Sequence, residues 1–158
     1  MPIYMNIQGI DGDSTNSQFP NWFEVMSFSW GESNAGTQSS GGGGGAGKVQ
    51  FSDFSVTKRA GKGSPLIMVA CASGKHLPAV QFAITTGRGR DQQNVFEQFK
   101  LTEVLVSSYQ IGDDLGSNPS ETLTLNFAKI EFDQTVNMAD GSVTVQTGVW
   151  DTRTNSSG

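Results

Sequence analysis

The chain has 158 residues, of which 35% are hydrophobic and 16% are charged, and its formal net charge is −5. An acidic chain lacks the positive surface that neutralises phosphates or anionic lipid, so nucleic acid is excluded as a partner class. No apolar run approaches the length of a membrane-spanning helix, the first residues do not form a signal peptide, and Cys71 has no second cysteine to pair with. This length fits one domain, residues 1–158, with neither membrane insertion nor signal-directed export.

Alternation of apolar and polar residues predicts a series of β-strands, because successive side chains of a strand point to opposite faces. In chain order the predicted strands are Tyr4–Gln8, Trp22–Trp30, Lys48–Lys58, Val80–Thr86, Leu101–Ile111 and Thr122–Phe132. A final hairpin pairs residues 135–137 with residues 142–147 around Ala139-Asp140-Gly141, since Asp-Gly favours a two-residue turn. Several short strands separated by turns indicate an all-β barrel or sandwich.

The strand predicted over residues 22–30 has two different faces. Phe23, Val25, Ser27 and Ser29 share one face, and Glu24, Met26, Phe28 and Trp30 share the other. Both faces are therefore partly apolar.

One segment departs from the strand period. Ser64 is predicted to cap a helix that has Pro65 at its first position, and Gly74 follows where a glycine commonly ends a helix. We expect one helix over Pro65–Ser73, buried because it is apolar nearly all round. Residues 91–98 have helical propensity, although their neighbours favour a strand.

A glycine-rich loop is predicted over residues 31–47, with Gly36 and the run Gly41, Gly42, Gly43, Gly44 and Gly45. Loops of this length inside a domain usually serve a function or are disordered. A flexible linker is one interpretation, but the flanking strand sets are too short to form separate cores. Residues 42–48 also match G-x-x-x-x-G-K, the start of a phosphate-binding loop. The match fails at Val49, where Ser or Thr would hold Mg²⁺, and a strand rather than a helix is predicted to follow.

Other candidate chemistry is weak. Residues 11–16 resemble the opening of a calcium loop but lack its glycine and its bidentate glutamate. A nucleophile pair of Cys71 and His76 is conceivable, although a cysteine on an apolar helix usually acts as a small hydrophobe. We therefore predict no catalytic residue, no metal and no cofactor. A basic cluster of Lys58, Arg59, Lys62 and residues 88–90 is either solvated charge or one half of a head-to-tail contact.

A string of landmarks resembles one family, the haemolysin-coregulated proteins (Hcp) that form the inner tube of the bacterial type VI secretion system. The matching segments, in chain order, are Ser29-Trp30-Gly31, GGGGGAGKV (41–49), Ser64-Pro65, ACASGKH (70–76), EVLVSSY (103–109) and ETLTLNFAKI (121–130). They extend over nearly the whole chain in the order and spacing of the family.

The resemblance implies a two-sheet β-barrel with one flanking helix, a homo-hexameric ring, and rings that stack into a tube. It also implies a non-enzymatic protein that is made in the cytoplasm, expelled with the spike by contraction of a sheath, and able to carry effector proteins in its lumen. Ser29 matches the cargo-contacting serine of the family, and Ser27 lies on the same predicted face. Residues 31–47, including the glycines named above, correspond to the loop that reaches the neighbouring ring.

Two other hypotheses remain open from the sequence. A contractile-phage-like tail tube protein would share the architecture and have a different biological role. A monomeric β-sandwich that binds carbohydrate would present exposed aromatic side chains, for which Trp22 and Trp150 are the candidates.

Overall fold

A computed structural model describes residues 1–34, 49–86, 94–113 and 119–157. The strands are β1 (Ile3–Ile7), β2 (Phe23–Val25), β3 (Ser27–Ser29), β4 (Glu32–Asn34), β5 (Val49–Phe51), β6 (Phe54–Arg59), β7 (His76–Thr86), β8 (Asn94–Gly112), β9 (Ser120–Asn137) and β10 (Val143–Asp151). One helix, α1 (Ser64–Ser73), lies between β6 and β7. The all-β prediction with a single short helix is confirmed.

The strands form a nearly closed antiparallel barrel. Their order in the main sheet is β2-β1-β7-β8-β9-β6-β3, and β10 pairs with the second half of β9. The first and last strands of this order are consecutive in the chain, because Met26 joins β2 to β3. The Met26 amide also donates to the carbonyl of Thr57, 2.8 Å away, so the sheet returns upon itself. Strands β4 and β5 form a separate two-stranded sheet.

The two longest strands lose their alternation at the same level of the sheet. In β8 the buried residues Leu101 and Val104 are three positions apart instead of two. In the paired part of β9 the same is true of Phe127 and Ile130. Glu103, between the two buried positions of β8, has a φ of 52°, which interrupts the regular pleat of a strand. Each strand therefore buries a different alternating set in its two halves, and both sets join one core.

Aromatic packing fills the barrel. Phe54 is fully buried and stacks on Phe82 and Phe28, with ring centroids 4.4 Å and 5.3 Å away, while Phe99 meets it edge-on at 5.5 Å. These rings come from four strands, so the core ties together elements that are distant in sequence.

The predicted strand over residues 22–30 is broken rather than continuous. Phe23 and Val25 are buried in β2, whereas in β3 it is Phe28 that packs against the core. The bend at Met26 changes the phase, and this explains why the sequence has apolar residues on both faces. Met26 itself is exposed.

The helix prediction is right in extent and wrong in burial. Gly63 rather than Ser64 is the N-cap, with φ 89°, and Gly74 ends the helix with φ 66°. Among the apolar residues of α1, Ile67 and Ala70 are buried. By contrast Leu66, Met68 and Val69 are 55%, 47% and 52% exposed.

The loop predicted over residues 31–47 has strand structure at its start, because Glu32–Asn34 pairs with Val49–Phe51. Gly36 and the five glycines 41–45 lie outside the described residues. The segment after Lys48 is a strand, as predicted, but Ser52 and Asp53 divide it into β5 and β6. The Ser52 hydroxyl accepts from the Gly31 amide and donates to the Gly31 carbonyl, both at 2.9 Å, and the Ser52 amide donates to the same carbonyl, also at 2.9 Å.

The last hairpin is longer than predicted, since β9 and β10 pair from Lys129 with Asp151 to Asn137 with Val143. Residues 138–142 connect the two strands, the Met138 amide donates to the Ser142 carbonyl at 2.8 Å, and Gly141 adopts a φ of 88°. Residues 94–98 belong to β8, so the alternative of a helix there is wrong for those residues.

Candidate functional site: an uncharged face on four strands

A small-polar surface crosses four strands of the barrel. Register places Ser27, Thr57, Thr122 and Gln110 directly opposite one another across β3, β6, β9 and β8. Directly opposite residues of antiparallel strands share one face of the sheet. These four side chains therefore form one row.

A second row lies two residues along each strand. It consists of Ser29, Ser55, Thr124 and Ser108. We call the two rows together the polar face. Eight neighbouring positions carry hydroxyl or amide groups and no charge, while the opposite side of the same strands supplies Val56, Leu123 and Leu125 to the core.

Beside the second row is a hydrogen-bonded cluster around Asp53. Its carboxylate accepts from the Ser107 hydroxyl at 2.6 Å and from the Asn126 amide at 3.1 Å. Ser107 and Ser108 both lie within hydrogen-bond distance of the Thr124 hydroxyl, at 2.7 Å and 2.6 Å. The cluster holds the Asp53 carboxylate in a fixed orientation beside the polar face.

Both serines predicted as cargo contacts belong to this face. Ser27 and Ser29 are exposed side chains of β3, opposite Thr57 and Ser55. Their role as contacts stays a prediction. Sequence reasoning did not find the other six members of the two rows, because their alignment with β3 depends on strand register.

Next to the first row is a buried ion pair. Lys58 and Glu121 are each 1% exposed and are paired through the lysine ammonium and a carboxylate oxygen. The same oxygen accepts a hydrogen bond from the Ser64 hydroxyl at 3.0 Å, and the other accepts one from the Tyr109 hydroxyl. The Lys58 ammonium also lies 4.7 Å from the centroid of the Phe23 ring. This buried network joins β6, α1, β8 and β9.

The network changes the titration of Tyr109. Burial of the phenol, together with its hydrogen bond to the Glu121 carboxylate, raises the pKa of Tyr109 to about 12.

The start of α1 is closely packed at Gly63, since a Cβ placed on this residue would lie 2.7 Å from the Asp11 carbonyl and 2.8 Å from the Phe23 ring. The start of α1 is therefore fixed both by hydrogen bonds and by close packing.

A cavity lies at the opposite end of the polar face. It has a volume of about 750 Å³. We call it the aromatic cleft, and its main walls are Trp30, Phe51, Phe132, Val149 and Trp150.

The edges of the aromatic cleft come from β4, β5 and β10, and Glu32 is its one charged lining residue within the described part of the chain. The indole N–H groups of Trp30 and Trp150 are buried, and neither has a hydrogen-bond partner among the residues that the structure describes.

Other candidate chemistry finds little support in the geometry. His76 is exposed at the start of β7, while Cys71 is partly buried on α1. No group of three potential metal ligands occurs within residues 1–34, 49–86, 94–113 and 119–157. Trp22 and Trp150, the candidates for a carbohydrate platform, are both partly buried against other hydrophobic side chains.

Lys58 does not contribute to the basic cluster suggested by the sequence. Lys58 is buried against Glu121, so it adds no charge outside, and residues 88–90 lie outside the described residues. In the described part of the chain, no helix has the length and apolar character needed to cross a membrane.

The chain is an all-β protein with a nearly closed antiparallel barrel, a second sheet of two strands and one flanking helix. A solved structure described as that of a type six secretion system protein superposes with a TM-score of 0.88 and 28% identity, covering 99% of each chain. Hcp1 from Salmonella typhimurium superposes with a TM-score of 0.78 and 22% identity, covering 99% of this chain and 97% of that one, and this likeness concerns the fold alone.

Sequence comparison specifies the family. Residues 4–134 match the family model described as the type VI secretion system effector Hcp. The chain belongs to the Hcp family. It is also 40% identical to the protein hcp1 of Pseudomonas aeruginosa over 96 residues, which cover 60% of this chain and 59% of that relative.

Proposed function

We propose that this protein is the structural subunit of a type VI secretion tube, built from hexameric rings that stack and that can carry effector proteins in the lumen. The polar face carries the proposal. A conduit for varied cargo needs a wall of short side chains without charge, since a charged or apolar wall would retain some proteins and reject others. Eight adjacent Ser, Thr and Gln positions meet that need.

Ring closure is supported by two free strand edges, one at each side of the four strands that form the polar face. Among the described residues, β3 pairs with β6 alone, and residues 106–112 of β8 pair with β9 alone. Free strand edges are templates for pairing with another chain. Placing the β3 edge of one copy beside the β8 edge of the next would continue the polar face around a ring.

In this proposal the protein works without catalysis, metal or cofactor. It is made in the cytoplasm and leaves the cell with the spike when the sheath contracts. Effectors contact the wall through Ser29 and Ser27, and the loop containing Gly36 and Gly41–Gly45 joins successive rings.

Electron microscopy and native mass spectrometry of the purified protein test the assembly. We expect rings with a central hole and a mass six times that of the 16.8 kDa chain. A monodisperse monomer at tens of micromolar would refute the proposal.

The lumen role is tested by Ser29→Gln, which places a longer side chain on the polar face. Rings should form normally, and a cognate effector should no longer co-purify. Thr144→Gln, an exposed strand position outside the polar face, is the matched control and should retain the effector. Equal recovery of the effector with both variants would exclude Ser29 as a contact.

Deletion of residues 36–45 tests the loop. We expect intact rings that polymerise less, since the deletion removes the proposed contact between rings without touching the barrel. Normal tube formation by the truncated rings would show that another surface joins them.

A further inference from the structure

A second polar surface of the barrel carries amide and charged side chains instead of hydroxyl groups. Register places four of them directly opposite one another across β1, β7, β8 and β9: Asn6, Gln81, Lys100 and Glu131. The next row, two residues along each strand, contains Ala83, Gln98 and Asp133. Directly opposite residues share one face of the sheet, so both rows belong to one surface. On β8 this surface and the polar face lie on either side of the interruption at Glu103.

Two adjoining cavities lie over these rows. The larger has a volume of about 440 Å³ and is lined by residues of both rows, and the smaller has a volume of about 180 Å³ and continues past Asn6 and Gln8. Gln81 and Lys100 line both cavities, so the two form one depression, which we call the amide groove. The larger cavity falls within the range of about 300–1,000 Å³ that is usual for small-molecule sites.

An aromatic wall closes one side of the amide groove. Phe19 and Trp22 line the larger cavity. Phe19 stacks on Tyr4 with ring centroids 4.6 Å apart, and Trp22 meets Phe19 edge-on at 5.0 Å. The buried Ala83 completes this cluster. The wall is therefore held in place before any ligand enters, which lowers the entropic cost of binding.

The floor of the groove offers hydrogen-bond donors and acceptors side by side. Lys100 and Glu131 are opposite each other, yet neither forms a salt bridge with any residue that the structure describes. Asp133 is oriented by the Thr147 hydroxyl, which donates to one of its carboxylate oxygens at 2.7 Å. An ammonium group donates, a carboxylate accepts, and the amides of Gln81 and Gln98 do both.

We propose that the amide groove binds a short neutral oligosaccharide. Each sugar hydroxyl both donates and accepts, so it needs the mixture of groups on the floor, and the C–H face of a sugar ring packs on an aromatic wall. An anion would meet the carboxylates of Glu131 and Asp133, and a cation would meet Lys100. An apolar ligand would remove these charged groups from water without compensation. Every residue of the groove comes from one chain, so the inference does not depend on the proposed ring.

Titration with three trisaccharides, cellotriose, maltotriose and chitotriose, tests the site by saturation-transfer NMR on the purified protein. We expect at least one of them to bind with a millimolar or tighter dissociation constant. Lys100→Met should weaken this binding about tenfold, because a hydrogen bond to a charged group is lost. Trp22→Ala should weaken it at least about tenfold through loss of the aromatic wall.

Lys75→Met is the matched control. It makes the same change at an exposed lysine just before the opposite end of β7, and it should bind the trisaccharide as the wild type does. Urea unfolding of each variant shows whether its fold is intact, and the exposed Lys100→Met keeps the test valid if Trp22→Ala does not fold. Failure of all three trisaccharides to bind, or equal affinity of Lys100→Met and Lys75→Met, would overturn the proposal. Free lysine bound more tightly than every trisaccharide would also overturn it and would indicate a site for amines.

Discussion

Replacing Lys58 by methionine tests the buried network most sharply. The substitution keeps an unbranched side chain that is shorter by one heavy atom, and it removes the cation paired with Glu121. Both residues are 1% exposed, so water cannot take the place of the ammonium group. Breaking a buried ion pair from one side costs about 3–5 kcal/mol, because the remaining charge is left without compensation. The hydrogen bonds from Ser64 and Tyr109 exist already in the wild type, and they do not offset the loss.

A double-mutant cycle isolates the pair. Glu121→Gln alone leaves the Lys58 ammonium buried and should also cost several kcal/mol, while Lys58→Met with Glu121→Gln leaves neither charge. We expect the double variant to be at least about 2 kcal/mol more stable than the sum of the single effects.

Urea unfolding followed by tryptophan fluorescence gives the four free energies of unfolding. All proteins are measured at one concentration, since assembly stabilises the folded chain by mass action. The exposed Lys100→Met is the control and should change stability by less than about 0.5 kcal/mol. A Lys58→Met effect as small as that of the control, or strictly additive single effects, would show that the pair is not desolvated in solution.

Three further substitutions probe the scaffold, each read by urea unfolding. Gly63→Ala should lower the free energy of unfolding by more than about 1–2 kcal/mol, because Gly63 has a left-handed φ and an added Cβ would lie 2.7 Å from the Asp11 carbonyl. Gly74 also has a left-handed φ but has open space around it, so Gly74→Ala should destabilise the protein less. Equal effects of the two substitutions would contradict the steric argument. Phe54→Ala should cost about 3–5 kcal/mol because it empties the centre of the aromatic core, and a cost below about 2 kcal/mol would mean that the core collapses around the gap. Because the pKa of Tyr109 is raised in the folded protein, the unfolded chain releases the phenol proton at lower pH than the folded chain does. The free energy of unfolding should therefore fall between about pH 10 and about pH 12 in the wild type but not through this group in Tyr109→Phe. Parallel plots of the free energy of unfolding against pH for the two proteins would contradict this prediction.

Local chemistry explains what the sequence could predict. The helix was identified by Pro65 at its start and Gly74 at its end, two residues whose backbone preferences act without tertiary contacts. Strand β6 and residues 120–127 of β9 alternate cleanly because one side of each faces the core and the other does not.

The bend at Met26 could not be predicted in the same way. Residues 22–30 are compatible with a single strand whichever face is buried, since both faces are partly apolar. Strand pairing determines that this segment forms two strands, because β2 pairs with β1 and β3 pairs with β6. Sequence alone does not contain the positions of those partners.

Long-range register likewise determines the polar face and the network beside it. In the sequence, Lys58 cannot be told from an ordinary solvated lysine, and nothing within several residues of it indicates that Glu121 will lie against it. Antiparallel pairing places these two residues directly opposite each other, one position before the Thr57 and Thr122 pair. Because neighbouring positions of a strand face opposite sides, the same register that turns the threonines outward turns the charges inward. A shift of one residue would expose the ion pair and bury the hydroxyl rows, so the network stabilises the one register in which the polar face is continuous.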